Sequence, residues 1–262
     1  GASSTISLSN ADYSFLGENA MDYSGYDVSS AGDIDGDGKD DIIIGAYGND
    51  DGGGSAGKTY IVRASSLNSR LPFSLPLMYL FNADYSFIGE EAGDSSGMSV
   101  SGAGDVNGDG LDDVLISAYK NALDTGKSYL ILGGNFGMSS DSLGDADYTF
   151  IGESTGDYSA RNLKRGGDID ADGLDDILIG AYGNDDGGSR AGKAYLILGN
   201  NLGSTSNAYL VNSYYSFVGE NPTDLAGRNV ISAGDVNGDG RDDVLIGAHG
   251  NDDNGYETGK VY

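Results

Sequence analysis

The sequence predicts an all-β fold, a β-propeller of four blades with four antiparallel strands each, and three observations carry that expectation. Glycine supplies 45 of 262 residues against only 3 prolines, which places the excess in turns and close approaches rather than in a collagen-type repeat. The chain repeats itself: acidic loops begin at Asp33, Asp105, Asp168 and Asp235, at intervals of 72, 63 and 67 residues. Each interval holds short apolar runs of strand length, and about four strands per unit of this size is the pattern of a propeller blade.

Three landmarks recur in the same order in every unit. An aromatic-led turn comes first, at Phe15-Leu16-Gly17-Glu18, Phe87-Ile88-Gly89-Glu90, Phe150-Ile151-Gly152-Glu153 and Phe217-Val218-Gly219-Glu220. The acidic loop follows, always 18 residues after the Phe. A Gly-Lys pair with a Tyr two positions on closes the unit, at Lys58, Lys127, Lys193 and Lys260. The runs Ile42–Ile44, Val114–Ile116, Ile177–Ile179 and Val244–Ile246 are continuously apolar, as strands buried on both faces should be. A further strand follows each Gly-Lys, a small-residue strand precedes each acidic loop, and a fourth fits Ser142 to Phe150 and Tyr209 to Phe217.

The units run roughly over 12–83, 84–146, 147–213 and 214–262, preceded by a strand at 1–11, and together they form one domain over 1–262. The last unit stops inside its third strand, so the N-terminal strand is expected to complete the last blade and latch the ring, covering two raw sheet edges. The segment Arg63 to Leu80, with Pro72, Phe73 and Pro76, is the one irregular insertion.

Composition narrows the function. With 14 Lys+Arg against 41 Asp+Glu the formal charge is −27, the wrong sign for a protein that neutralises a nucleic-acid backbone. No apolar run reaches the ~18 residues of a membrane span. Zero Cys and a single His remove thiolate catalysis, Cys/His zinc sites and any triad not built on His249. Every chemically suggestive residue is repeated, whereas an enzyme needs a unique set, so the chain reads as non-catalytic.

The acidic loops read as metal sites. Over nine residues, positions 1, 5 and 9 are Asp and position 3 is Asp or Asn. Oxygen donors at alternate positions of a flexible loop select a hard cation, Ca²⁺ before Mg²⁺. An EF-hand is excluded because its position-12 Glu is replaced by Ile44, Ile116, Ile179 and Ile246, each within a strand. The Asp beside the closing ligand in each Asp-Asp pair, Asp40, Asp112, Asp175 and Asp242, is expected to hydrogen-bond the turn rather than the ion.

The order F-x-G-E, D-x-D/N-x-D-G-x-x-D, I-G-A (I-S-A in the second unit), G-K-x-Y resembles the FG-GAP repeat of integrin alpha-subunit propellers and their bacterial relatives. The resemblance covers nearly the whole chain. It implies about four Ca²⁺, one per repeat, in the loop joining the first two strands of each blade. The implied ligands are Asp33, Asp35, Asp37, Lys39 and Asp41; Asp105, Asn107, Asp109, Leu111 and Asp113; Asp168, Asp170, Asp172, Leu174 and Asp176; and Asp235, Asn237, Asp239, Arg241 and Asp243, with position 7 offering its carbonyl. It further implies a secreted or cell-surface module acting in adhesion or recognition of a protein or glycan, with no nucleic-acid partner. A scaffold or accessory domain of a larger extracellular enzyme is the alternative. Tyr47, Tyr119, Tyr182 and His249 replace the family's Pro. The family's seven blades exceed this length, leaving a compact four-bladed ring or self-association into a larger one.

On the opposite face, Tyr47, Tyr119, Tyr182 and His249 begin loops in which an aromatic beside Asn and Asp offers a sugar a stacking surface, although the same residues also serve turns. Arg161, Lys164, Arg165 and Arg228 fall in or just before the expected innermost strands of the third and fourth units, where they could take an anion near the axis or neutralise nearby acids. The repeated lysines are expected to pair with carboxylates such as the F-x-G-E glutamates.

Overall fold

The computed structural model describes residues 7–68, 77–136, 142–203, 206–213 and 215–262. Eighteen strands occur among them. The first repeat contributes β1 (Ser14–Leu16), β2 (Val28–Gly32), β3 (Asp41–Ala46) and β4 (Lys58–Val62), then β5 (Leu77–Tyr79). The second contributes β6 (Tyr85–Ile88), β7 (Val100–Gly104), β8 (Asp113–Ala118) and β9 (Lys127–Ile131). The third has β10 (Tyr148–Ile151), β11 (Asn162–Gly167), β12 (Asp176–Ala181) and β13 (Lys193–Ile197), then β14 (Asn207–Tyr209). The fourth has β15 (Tyr215–Val218), β16 (Ala226–Gly234), β17 (Asp243–Ala248) and β18 (Lys260–Val261).

The fold is all-β and mostly antiparallel. Sheets run β2-β3-β4-β6, β7-β8-β9-β10-β14, β11-β12-β13-β15 and β16-β17-β18, with a separate parallel pair β1-β5. The aromatic-led strand of one repeat therefore forms the outer strand of the preceding repeat's sheet. The inner strands β2, β7, β11 and β16 pack side by side in that order. Apolar runs in β8 and β12 are buried because adjacent sheets cover both faces: Leu115, Ile177 and Ile179 share one cluster, and Leu178 joins Val230 and Ile246 in another.

Among the described residues no N-terminal strand completes the last sheet. β1 pairs in parallel with β5, no comparable packing joins β16 back to β2 among the described residues, and no sheet closes a ring. A recurring link accounts for the β1–β5 pair. The segment just before each aromatic strand docks in parallel on the outer strand of the preceding sheet: β5 on β1, Ser142 on Ile88, β14 on β10. The link takes one edge only, since β10 carries both β14 and β9, so it does not by itself keep β1 from the last sheet, where β18 offers only two paired residues. The same link buries Leu80, Leu143 and Leu210, seven residues before each Phe, whereas their counterpart Leu8 is 91 % exposed. Leu8–Asn10 is a 3-10 turn rather than a strand; residues 1–6 of the expected strand lie outside the described residues. So do Pro72, Phe73 and Pro76 of the insertion, whose flanks form a short helix, Ala64–Asn68, and β5.

Candidate metal centres and the opposite face

Each acidic loop joins the first and second strands of its sheet and is entered through a register shift at a glycine: Gly32, Gly104, Gly167 and Gly234. The position-1 carboxylate then organises the turn. Asp33 accepts the N–H groups of Asp37 at 3.0 Å and Gly38 at 2.8 Å, and Asp105, Asp168 and Asp235 do the same in their loops. The position-5 carboxylate accepts the N–H of position 7, as in Asp37 from Lys39 at 3.0 Å and Asp109 from Leu111 at 2.9 Å. Position 6 is Gly38, Gly110, Gly173 or Gly240, each with φ between 83° and 90°, where a side chain would strain the turn.

The donor set suits a hard cation. Oxygens of Asp33, Asp35 and Asp37, and of Asp168, Asp170 and Asp176, lie within 4.8 Å of one another. Asp41 Oδ2 and Asp170 Oδ1 are buried without a hydrogen-bond partner, a costly state for a carboxylate oxygen. Burial, reinforced by the neighbouring loop carboxylates and opposed by backbone N–H donors, raises the pKa of Asp41, that of Asp113 to about 7 and that of Asp176 to about 6. These are negative charges that a cation would offset. Existing donors offset part of the charge: Lys39 reaches Asp37 at 3.0 Å, Arg63 reaches Asp35 at 3.4 Å, and Asn200 hydrogen-bonds both Asp170 and Asp172. The second and fourth loops carry Asn107 and Asn237 at position 3, and among the described residues no third carboxylate joins their cluster.

In the second, third and fourth repeats the first Asp of the closing pair bonds a turn, but the turn of the preceding repeat. Asp112 Oδ2 accepts the Asp33 N–H at 2.8 Å, Asp175 Oδ2 that of Asp105 at 3.1 Å, and Asp242 Oδ2 that of Asp168 at 3.1 Å. The pattern Gly-Asp at the loop start with Asp-Asp at its end was the sequence signal for this joint.

The loops beginning at Tyr47, Tyr119, Tyr182 and His249 join the second and third strands, so they lie at the opposite end of each sheet. Asn49, Asn184 and Asn251 are buried. Each donates to an Asp of the preceding turn, Asp22, Asp157 or Asp224, and each accepts from the Asp two residues on. They serve turns and are not free for a sugar hydroxyl. The aromatics form two groups: Tyr47 stacks on Tyr23 at 5.0 Å with Tyr26 edge-on at 4.7 Å, and Tyr182 stacks on Tyr158 at 5.2 Å with Tyr119 tilted at 6.2 Å. Arg161 lies over Tyr119 at 5.3 Å and Arg228 over Tyr182 at 4.9 Å. Neither is ion-paired to a carboxylate among the described residues, so they stack rather than neutralise; their neighbours Lys164 and Arg165 pair with Asp27 and Asp175. His249 is not stacked on a described aromatic ring.

The repeated lysines pair as expected. Lys58 reaches Glu18 at 2.9 Å and Asp51 at 2.7 Å, Lys193 reaches Glu153 at 2.8 Å and Asp186 at 2.7 Å, and Lys127 reaches Glu90 at 2.7 Å. These ties hold the aromatic-led turn to the sheet of its own repeat, next to the sheet whose outer strand it forms.

A profile of the FG-GAP repeat matches residues 24–62, 96–131 and 228–262. Integrin alpha-PS2 of Drosophila melanogaster is 28 % identical over 240 residues, 88 % of this chain and 15 % of that protein. Integrin alpha-5 of Xenopus laevis is 31 % identical over 180 residues, 64 % of this chain and 16 % of that protein. Integrin alpha-PS5 of Drosophila melanogaster is 30 % identical over 173 residues, again 64 % and 16 %. The chain thus spans about a sixth of the length of these relatives.

Proposed function

We propose, from the premise that the chain is an FG-GAP repeat protein similar to integrin alpha subunits, that it is a calcium-stabilised, non-catalytic module that recognises a protein ligand at a cell surface or in the extracellular medium. The observation that carries this reading is the acidic loop itself, with its position-1 Asp holding the turn open and buried oxygens at Asp41 and Asp170 lacking a donor. Four Ca²⁺, one per repeat, would offset eight of the 27 net negative charges, with ligands at positions 1, 3, 5, 7 and 9 of each loop. Millimolar extracellular calcium suits loops of this type. The likeness to integrin alpha subunits supports recognition as the role, and the radial order of the inner strands supports four propeller-type blades.

The recognition surface we assign is the face opposite the metal loops. Tyr119, Tyr158 and Tyr182 give it stacking area, and Arg161 and Arg228 give it positive charge in an otherwise acidic molecule. No helix of the described residues is long and apolar enough to cross a membrane.

Metal analysis and melting test the reading together. Dialysed protein should hold about four Ca²⁺ by mass spectrometry, and excess chelator should lower Tm by at least about 10 °C, since each well-filled site adds about 2–3 kcal/mol. An unchanged Tm with no bound metal would overturn it.

A further inference from the structure

We propose that the cation sites of adjacent repeats are coupled, and that Asp112, Asp175 and Asp242 are the positioning residues that couple them. This presupposes that the loops hold calcium, and goes beyond it by joining the sites into a series.

Asp112 sits between Leu111 and Asp113, positions 7 and 9 of the second loop and both candidate ligands. Its polar groups nevertheless point to the first loop. Its carboxylate accepts the N–H of Asp33 at 2.8 Å, and its own N–H donates to the Asp33 carbonyl at 3.1 Å. Asp33 is the residue whose carboxylate organises the first loop. One residue is thus pinned through its backbone by two ligands of one site and clamps the organising ligand of the next. The clamp recurs with both bonds at Asp175–Asp105 and Asp242–Asp168, all at 3.1 Å.

Two further observations mark this as a built joint. Gly32, Gly104 and Gly167 precede the clamped aspartates at φ between 75° and 79°, and a Cβ on them would lie 2.2, 2.0 and 1.9 Å from a carboxylate oxygen of Asp112, Asp175 and Asp242. The position-7 side chain makes a second contact: a Cβ on Gly36 would lie 3.2 Å from Leu111, and one on Gly108 3.0 Å from Leu174. The two outer loops each have one side of the joint only: the first loop clamps no preceding loop and the fourth is clamped by none among the described residues. Gly234 has open space around it. Among the described residues the Asp40 carboxylate meets only Ser30 of its own repeat, at 3.4 Å.

The energetic consequence follows from ordering. With a cation held in the second loop, the Leu111 carbonyl and Asp113 would be fixed as its ligands, which would fix Asp112 and with it the backbone of Asp33. The first loop then has less conformational freedom left to lose, so its cation binds more tightly. Linkage makes the effect mutual.

Calcium titration of the metal-free chain by calorimetry tests this, with Asp40→Ala as the internal control. The wild type should bind cooperatively, with a Hill coefficient clearly above 1. Asp112→Ala should lower it toward 1 and weaken mean affinity about 5-fold, the low end of ordinary couplings. Asp40→Ala should retain the cooperativity, and Asp112→Asn, which keeps the acceptor, should restore it. Equal effects of Asp112→Ala and Asp40→Ala, or independent sites at full stoichiometry in the wild type, overturn the coupling alone. A wild type that binds no calcium overturns the calcium reading itself. Should Asp112→Ala not fold, Asp172→Ala reads the same quantity: it should remove one ion and weaken those remaining about 5-fold, and unchanged affinity for the remaining ions overturns the coupling.

Discussion

The second strands of the third and fourth repeats have nearly the same sequence and different surroundings. β12 reads Asp-Ile-Leu-Ile-Gly-Ala and is buried throughout, while β17 reads Asp-Val-Leu-Ile-Gly-Ala and is only partly covered. Leu178 is fully buried; its counterpart Leu245 is 42 % exposed. The third sheet has a neighbour on each face, whereas the fourth is covered by the third alone, which is why Ile246 is buried against Leu178 and Leu245 is not. The strand forms in both places, so hydrogen bonding and turn chemistry suffice to shape it. Burial, and with it most of the stabilisation, comes from the second neighbour.

Three paired substitutions test this, beginning with the largest difference. Leu178→Ala should cost about 2–5 kcal/mol and Leu245→Ala about 1 kcal/mol or less, because only the first opens a cavity; urea unfolding of both would show it, and equal losses would break the comparison. Lys193→Ala should cost about 3 kcal/mol, since it leaves the nearly buried Glu153 without its partner. Lys260→Ala should matter far less, because Lys260 and Glu220 are 34 % and 48 % exposed in their side chains; Tm measured on both variants checks it. The smallest contrast is at the glycines. Gly167→Ala should cost about 2 kcal/mol, from a left-handed backbone and displacement of Asp242, while Gly234→Ala meets the backbone strain alone, about 1 kcal/mol. Tm of the two variants checks it, and an equal or larger loss at Gly234 would break the contrast.

Much of the candidate site was legible in residue order. The alternation of Asp and Asn from Asp33 to Asp41 identified loops whose position-1 carboxylates do organise the turns, and the spacing of Lys58 after Glu18 anticipated their ion pair. Failures came wherever the partner belongs to another repeat. Asp112 was placed on a turn, yet the turn is 79 residues away. Arg161 and Arg228 were weighed as neutralisers of nearby acids, but each lies over a tyrosine of the preceding repeat. The N-terminal strand was assigned to the last sheet, yet Leu8–Asn10 forms a 3-10 turn and the strand at Phe15 pairs with β5.

The line between the two kinds of information runs at the boundary of a repeat. Within one repeat, strand alternation, glycine turns and carboxylate spacing act over a few residues, through backbone dihedrals and short hydrogen bonds that any reader of the chain can trace. Between repeats, contacts depend on how whole sheets lie against one another, and that follows from packing summed over many side chains. Four similar repeats therefore announced their strands and loops in advance, while only the folded arrangement decided which of them share a joint and which are left open.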